Sequence, residues 1–326
     1  MIISRTPLRI TLGGGGTDLP SFYSSHGGAV LAAGINRYIY VAINETFTND
    51  YFLKYSEMER VDTASAIRHP ILREVLSAHA IGPALEIVST ADIPAGTGLG
   101  SSGAFTVGLL KAVYSFKREH STAGALAEEA CHIEMNMLGR PVGKQDQYIA
   151  AYGGLTFFDI DKEGAVVVSP LSISNSTLHA LEEHLMLFFT GYSRSADAML
   201  EDQRSRTERG DAAMEEEMLA VKSAATEIKV SLESGDVFRF AGLLHEHWVR
   251  KRIRSVGMSN ERIDAWYELG RGNGALGGKL VGAGGGGFLM LFAEDPARVR
   301  AVMTDAGLKE VRFAFDHDGS SLVVRA

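Results

Sequence analysis

The sequence is poor in cysteine and has no long hydrophobic run. Its one cysteine, Cys131, cannot form an intramolecular disulfide, which is typical of a reducing compartment. No stretch approaches the roughly 18 uninterrupted apolar residues that a membrane-spanning helix needs. Residues 1–7 also lack the basic segment and apolar core of a secretory signal. These absences predict a soluble, cytoplasmic protein without a membrane partner.

Positive charge is also scarce. The chain has 32 Lys and Arg against 40 Asp and Glu, which gives a formal net charge of −8. This balance argues against the broad electropositive face that neutralises a nucleic-acid backbone, so no nucleic acid partner is expected. With 326 residues, 45% of them hydrophobic, the chain is long enough for about two domains.

The first half of the chain has the pattern of a sheet that leads into helices. Runs of β-branched and aromatic residues predict strands at residues 2–3, 8–12, 38–43 and 85–89. Apolar residues at helical spacing predict helices over 104–116 and 122–138. The polar residues 140–154 are expected to form a loop.

The second half has longer, charge-rich helical patterns. We expect helices over 196–234 and 236–254, followed by a strand at 287–292. Because the pattern changes near residue 170, we predict one domain over 1–170 and a second over 171–326. No repeat or long linker separates them, so a binding cleft is expected between the two.

Glycine-rich stretches occur at residues 13–16, 96–103, 272–278 and 282–287. A GxGxxG pattern appears three times, but no strand-borne acidic residue follows about 20 positions later, as a Rossmann unit requires. A Walker P-loop is excluded because Asn273 stands where glycine is needed before Gly278. Residues 96–103 instead form a loop at the N-terminus of the helix expected over 104–116, where Ser101 and Ser102 supply hydroxyls beside the backbone donors, which suits a polyphosphate with Mg²⁺. A serine-capped helix after a turn is the alternative.

Three motifs resemble those of the GHMP kinases, the superfamily named for galactokinase, homoserine kinase, mevalonate kinase and phosphomevalonate kinase. In the family's order they are residues 7–18, Pro94-x-Gly96-x-Gly98-Leu99-Gly100-Ser101-Ser102 and residues 279–287. The resemblance implies an α+β, two-domain GHMP kinase fold. The N-terminal domain would be a ribosomal-protein-like α/β domain that binds ATP, and the C-terminal domain would be ferredoxin-like. ATP and Mg²⁺ are the implied cofactors.

The resemblance also implies roles for individual residues. Asp146 matches the family's catalytic aspartate and Arg9 the basic residue beside it. Ser102 and Glu134 match the magnesium ligands. An ordinary strand-edge arginine and a solvated helix glutamate are the alternatives for Arg9 and Glu134. The residues expected to contact ATP are Pro94, Gly96, Gly98, Leu99, Gly100, Ser101, Ser102 and Gly103.

The acceptor is indicated by residues 14–18, Gly-Gly-Gly-Thr-Asp, where sugar kinases resembling galactokinase carry Gly-Glu-His-Thr-Asp. Asp18 keeps a hydrogen-bond acceptor for sugar hydroxyls, while Gly15 and Gly16 leave space. The whole chain is similar to the D-glycero-D-manno-heptose 7-phosphate kinases and to fucokinase domains, which phosphorylate an anomeric hydroxyl. The resemblance implies a sugar site formed by Gly15, Gly16, Thr17, Asp18, Asp146, Gly284, Gly285 and Arg194.

A phosphorylated sugar would need a second cationic contact. Arg194 could supply it, or the cluster Arg250, Lys251, Arg252 and Arg254, although a solvated helix face explains that cluster equally well. We therefore expect a kinase whose small-molecule partners are ATP and heptose 7-phosphate. A kinase of a free sugar such as fucose, a kinase of mevalonate-like alcohols and a non-catalytic sensor of sugar and ATP are the alternatives. The oligomeric state is left open, with a homodimer as one candidate.

Overall fold

The computed structural model describes residues 1–191, 196–254 and 257–325. Its strands are β1 (Ile2–Gly13), β2 (Gly28–Glu45), β3 (Tyr51–Lys54), β4 (Met58–Val61), β5 (Leu85–Ala91), β6 (Leu155–Ile160), β7 (Val166–Pro170), β8 (Leu185–Phe189), β9 (Ala275–Leu280), β10 (Phe288–Ala293), β11 (Lys309–Glu310) and β12 (Ser321–Arg325). Its helices are α1 (Pro20–His26), α2 (Pro70–Ala78), α3 (Ser101–Phe116), α4 (Ala123–Cys131), α5 (Gln145–Tyr152), α6 (Asn175–His184), α7 (Ala196–Glu208), α8 (Ala212–Glu233), α9 (Val237–Arg254), α10 (Glu261–Gly272) and α11 (Pro296–Asp305). The mixture of helices and sheets confirms the predicted α+β class.

The first sheet is built around β1 and the long strand β2. Its order is β12-β1-β2-β5-β3-β4, and β6 pairs with β2 on one side and with β7 on the other. The two predicted strands at 2–3 and 8–12 form the single strand β1. The pairing of β1 with β2 shifts register between Pro7 and Leu8, because proline has no N–H to give to the ladder. This strand carries Arg9 into the interior.

The second sheet has the order β11-β8-β10-β9, with antiparallel pairing throughout. Along the chain, helices lie between β8 and β9, and α11 lies between β10 and β11. This βαββαβ arrangement is the ferredoxin-like one. It agrees with the C-terminal architecture that the resemblance implied.

Two of the predicted segments were wrong in part. Residues 140–154 are not all loop, because α5 occupies Gln145–Tyr152; the residues from Gln147 to Ala151 are all buried, so no amphipathic pattern marks the helix. The helix expected over 196–234 is two helices. Gly210 has a φ of 69°, and the Asp211 side chain accepts hydrogen bonds from Ala213 N and Met214 N to begin α8.

The predicted helix over 122–138 is confirmed with one modification. Thr122 caps the start of α4, which continues through a π-helical segment, His132–Met137. A π turn inserts one extra residue into the helical repeat and often occurs at functional sites. Here it carries Glu134 to the buried side of the helix.

The two halves are packed against each other. Helix α8 contacts β1 and β2, and an added Cβ on Gly13 would lie 3.0 Å from Ala225 Cα. Strand β12 pairs with β1, so the end of the second half completes the first sheet. The division at residue 170 stays a prediction. In the part of the chain that the structure describes, no helix is long and apolar enough to cross a membrane.

Candidate active site

A cavity of about 820 Å³ lies where the two halves meet. From the first half it is lined by β1, the loop before α3 and the start of α5, and from the second half by α9 and β9. This volume is typical of a small-molecule site. The predicted residues that line it are Arg9, Gly15, Gly16, Asp18, Gly96, Gly98, Gly100, Ser101, Ser102, Asp146 and Lys251.

Arg9 and Asp146 form a bidentate ion pair inside the cavity. Arg9 Nε lies 2.7 Å from Asp146 Oδ1, and Arg9 Nη2 lies 2.9 Å from Oδ2. The third arm of the guanidinium, Nη1, donates to Gly98 O, and the backbone N–H of Arg9 donates to Leu99 O at 3.0 Å. A planar guanidinium that meets a carboxylate in this way fixes its orientation. Arg9 therefore ties Asp146 to the loop before α3.

Two glycines make room for the pair, Gly100 at the end of that loop and Gly103 in the first turn of α3. An added Cβ on Gly100 would lie 2.9 Å from Arg9 Cγ and 3.3 Å from Asp146 Cγ. On Gly103 it would lie 2.8 Å from Asp146 Cβ. Side chains at these positions would force α3 and α5 apart. The glycines of the motif therefore leave the space that Asp146 occupies, in addition to shaping the loop.

The loop itself has the features of an anion site. Gly96, Gly98 and Gly100 all have positive φ, and α3 begins directly after Gly100. Within the described ranges, Ser101 Oγ is buried and has no hydrogen-bond partner. The N–H groups at the start of α3 and the positive end of its helix dipole favour a phosphate there. Pro94 and Leu99 shape the loop through their carbonyls, which accept from Thr97 Oγ1 and from Arg9 N.

Ser102 and Glu134 meet at the buried side of this loop. Ser102 Oγ donates to Glu134 Oε2, and the carboxylate also accepts from Gln147 Nε2 at 2.9 Å. Arg140 Nη1 donates to Ser102 Oγ and, at 2.8 Å, to Glu134 Oε2. Burial raises the pKa of Glu134 above its ordinary value, while the contacts from Ser102 and Arg140 oppose the rise.

We tested this pair for its fit to Mg²⁺. A hydroxyl and a carboxylate are hard oxygen donors, and Mg²⁺ commonly takes one or two protein oxygens and completes its shell with phosphates and water. The described residues hold no group of three or more His, Cys, Asp or Glu side chains of the kind that binds a metal alone. The donor set fits a metal that arrives with a nucleotide, although Arg140 contacts the same oxygens.

Hydrogen bonds of buried side chains hold the loop that follows β1. Asp18 accepts hydrogen bonds from Gly16 N and Gln145 N, both at 3.0 Å. Thr17 is buried and donates to Gly14 O, so its hydroxyl is used within the protein. Burial raises the pKa of Asp18 above its ordinary value, and the nearby charge of Asp146 adds to the rise.

The space expected at Gly16 is partly occupied. Gln203, from α7, donates from Nε2 to Gly16 O at 3.1 Å, and it lines the cavity. At Gly15 the nearest side chain is Thr11, which donates to Gln145 Oε1 at 3.0 Å. Gln203 was not predicted, because its contact joins residues 187 positions apart.

The remaining predicted acceptor residues are less central. Gly284 and Gly285 contact Met258 and are not among the residues that line the cavity, whereas Gly282 and Ala283 are. Arg194 lies outside the described residues, as does the side chain of Arg254. The acceptor roles of these residues stay predictions.

The predicted basic cluster on α9 points in two directions. Arg250 pairs with Glu217 at 3.2 Å and Arg252 with Glu268 at 3.4 Å, both on the surface. Lys251 faces inward, is 6% exposed and lines the cavity.

Two further groups in the cavity were missed. Lys279 of β9 and His247 of α9 are buried and line the same wall as Lys251. At another part of the cavity, His69 packs between Tyr55 and Phe105, with ring centroids 4.7 and 5.0 Å apart. Such an aromatic patch could hold a purine base. Both groups are brought together by contacts between residues far apart in the chain, which the local sequence pattern does not show.

Comparisons with known proteins agree with this architecture. Residues 64–154 match the family model for the N-terminal domain of GHMP kinases, and residues 228–307 match the model for their C-terminal domain. The chain is 31% identical to the D-glycero-alpha-D-manno-heptose 7-phosphate kinase of Campylobacter jejuni over 98% of this chain and 97% of that protein.

Two other similarities cover most of the chain. A crystal structure described as a D-glycero-D-manno-heptose 1-phosphate kinase from Bacteroides thetaiotaomicron has a TM-score of 0.81 and 26% identity, with 99% of each chain covered. The L-fucokinase/L-fucose-1-P guanylyltransferase of Bacteroides fragilis is 25% identical over 94% of this chain, which spans only 36% of that protein.

The fold and the site therefore define an ATP-dependent sugar kinase. The chain belongs to the GHMP kinase family, as its three motifs predicted.

Proposed function

We propose that this kinase transfers the γ-phosphoryl group of ATP to the anomeric hydroxyl of D-glycero-D-manno-heptose 7-phosphate, giving the 1,7-bisphosphate. The product would supply a nucleotide-activated heptose for surface glycans. One observation carries the proposal most directly: the Asp146 carboxylate, held by Arg9, lines the same cavity as the glycine loop before α3 and the loop of Asp18. The similarity to the Campylobacter jejuni heptose 7-phosphate kinase supports the choice of sugar.

In the proposed reaction, Asp146 orients the anomeric hydroxyl and accepts its proton. The sugar oxygen forms a bond to the γ-phosphorus as the bond from that phosphorus to the β,γ-bridging oxygen breaks, and ADP leaves. Phosphoryl transfer depends mainly on positioning and on charge stabilisation, so the fixed Arg9–Asp146 geometry is its main structural support. Arg9 orients the carboxylate and adds positive charge beside the transferred group.

The loop from residue 94 to residue 103 would hold the triphosphate. Its N–H groups can donate to phosphate oxygens, and so can the Ser101 hydroxyl, which has no hydrogen-bond partner among the described residues. Ser102 and Glu134 would hold Mg²⁺, which would neutralise charge on those oxygens. The ring cluster of Tyr55, His69 and Phe105 would hold the adenine.

The substrate is tested by measuring ADP release with a panel of acceptors. The panel contains the heptose 7-phosphate, the heptose 1-phosphate, the free heptose, L-fucose and mevalonate. We expect kcat/KM to be highest for the 7-phosphate, and phosphorus NMR of the product to show a new anomeric phosphate. If a free sugar is phosphorylated and heptose 7-phosphate is not, the proposed substrate is wrong.

A protein that binds sugar and ATP without turnover is the alternative from another class. If no acceptor in the panel raises ADP release above the background rate, the result favours this alternative. A cytoplasmic location and a homodimer stay predictions, which fractionation and light scattering would test.

A further inference from the structure

The wall of the cavity formed by α9 and β9 carries buried basic side chains. His247 and Lys251 lie four residues apart, and this spacing places them on one face of α9. Lys279 lies on β9, which packs against α9. Their exposed fractions are 4%, 6% and 2%, and all three line the cavity. Buried lysines are rare in proteins because a charged ammonium is costly to remove from water.

Backbone carbonyls hold the two ammonium groups in place. Lys279 Nζ donates to Leu12 O at 3.1 Å. Lys251 Nζ donates to Leu280 O at 3.1 Å and also to Gly282 O. Both lysines are therefore ordered before a ligand arrives, which lowers the entropic cost of binding one.

The cavity has the opposite charge balance to the whole protein. Among its described lining residues, Arg9, Arg140, Lys251 and Lys279 carry positive charge, and Asp18 and Asp146 carry negative charge. Glu134, just behind this lining, pairs with Arg140, so an excess of one positive charge is left, in contrast with a net charge of −8 for the chain. A concave site of this kind attracts anions from a protein that otherwise repels them.

The position of Lys279 separates it from the phosphoryl-transfer centre. Leu12 lies three residues after Arg9 on β1, which corresponds to about 10 Å along the strand. Leu12 also leads directly into the loop that carries Asp18. Lys279 is thus anchored on the acceptor side of the cavity, at a distance comparable with the length of one sugar phosphate.

We propose that Lys251 and Lys279, with His247, form the subsite for the phosphate of the acceptor sugar. Lys279 lies at the end beside Leu12, and Lys251 at the end beside Gly282. This inference rests on the proposed function and names the feature of the substrate that the second half of the protein recognises. Two lysines would give charge-assisted hydrogen bonds to a phosphate monoester. Arg250 and Arg252, which pair with surface carboxylates, take no part.

The test measures the ratio of kcat/KM for a sugar phosphate to kcat/KM for the same sugar without its phosphate. The variants are Lys279→Gln and Lys251→Gln, whose amides can still donate to the carbonyls. Arg250→Gln is the matched control, since it removes a positive charge from the neighbouring position on α9. Each ratio compares two substrates on one preparation, so it does not change if part of a variant is unfolded.

We expect each lysine variant to lower the ratio by about 10- to 100-fold, the loss typical of one charge-assisted hydrogen bond. Arg250→Gln should keep the wild-type ratio. If wild type prefers heptose 7-phosphate and both lysine variants keep that preference, the subsite is wrong and the proposed function stands. If wild type prefers another sugar phosphate, the proposed substrate is wrong and the ratio for that sugar tests the subsite. A wild type without preference for any phosphorylated acceptor overturns both.

Discussion

The two walls of the cavity fix their charged groups in different ways. On the wall of the first half, charged side chains meet each other, as in Arg9 with Asp146 and Arg140 with Glu134. On the wall of the second half, Lys251 and Lys279 donate to backbone carbonyls. Ion pairs between side chains orient groups for chemistry, whereas lysines on carbonyls add net charge to a cavity. The first wall is thus suited to phosphoryl transfer and the second to recognition of an anionic acceptor.

The largest effect should come from the carboxylate of the first wall. Asp146→Asn keeps the size of the side chain but removes the proton acceptor, so we expect kcat to fall by about 10²- to 10⁴-fold. The dissociation constant for ATP, measured by calorimetry, should change little. Asp62→Asn, at an exposed position, is the control. Unchanged turnover in the Asp146→Asn variant would remove Asp146 from the mechanism.

Arg9→Lys tests whether the fork of the guanidinium matters or only its charge. Lysine cannot contact both carboxylate oxygens and Gly98 O together, so we expect a loss of about 100-fold in kcat. Arg5→Lys is the control on the same strand, where Arg5 forms a surface pair with Asp318 at 3.3 Å. Equal rates for the two variants would show that the fork has no role.

Gly282→Ala tests the contact between the two walls. Gly282 has a φ of 80°, and an added Cβ would lie 2.6 Å from Gly98 Cα in the loop before α3. The left-handed backbone costs alanine about 1–2 kcal/mol, and the overlap adds to this. We expect a lower free energy of unfolding in urea and a higher KM for ATP.

Gly272→Ala is the matched control, because an added Cβ at Gly272 would meet no atom within 4 Å. We expect it to keep the wild-type KM for ATP and not to lower the free energy of unfolding, since alanine is favoured over glycine in a helix. If the Gly282→Ala and Gly272→Ala variants behave alike, the close approach of the two glycine loops has no energetic weight.

The smallest effect concerns Asp18 and pH. Its pKa is raised above the ordinary value of 3.8 mainly by burial, so the stability that its protonated form contributes is complete below pH 3.8 and is lost as pH rises through the raised pKa. Relative to Asp18→Asn, wild type should therefore lose unfolding free energy as pH rises, by at most about 1.4 kcal/mol per pH unit. Urea unfolding across the acid range measures this difference, with Asp305→Asn as an exposed control. A constant difference would contradict the raised pKa.

The contrast between the walls also explains what the sequence could predict. Resemblance to the family's motifs located Arg9, Asp146 and the loop before α3, which the structure brings together in one cavity. Their roles in the reaction stay predictions. The helix that carries Asp146 was missed, because its buried residues give no alternation of polar and apolar faces.

Less of the second wall could be predicted from the sequence. Lysine is normally a surface residue, so Lys279 gives no local sign of burial. Its partner, Leu12 O, is 267 residues away in the chain. Only three-dimensional packing joins such residues, and the same applies to Gln203 and Gly16, which are 187 positions apart.

The pairing of β12 with β1 has a consequence for biosynthesis. Ile2 lies opposite Arg325 in the ladder, and Thr6 Oγ1 lies 2.8 Å from Ser320 Oγ. A ribosome makes β1 before β12, so the edge of β1 at residues 2–5 lacks this partner until residues 321–325 have emerged. Until then this edge is exposed in the nascent chain, which favours aggregation. Arg9 lies on this strand, so chaperone access to the growing chain should influence how much active enzyme is formed.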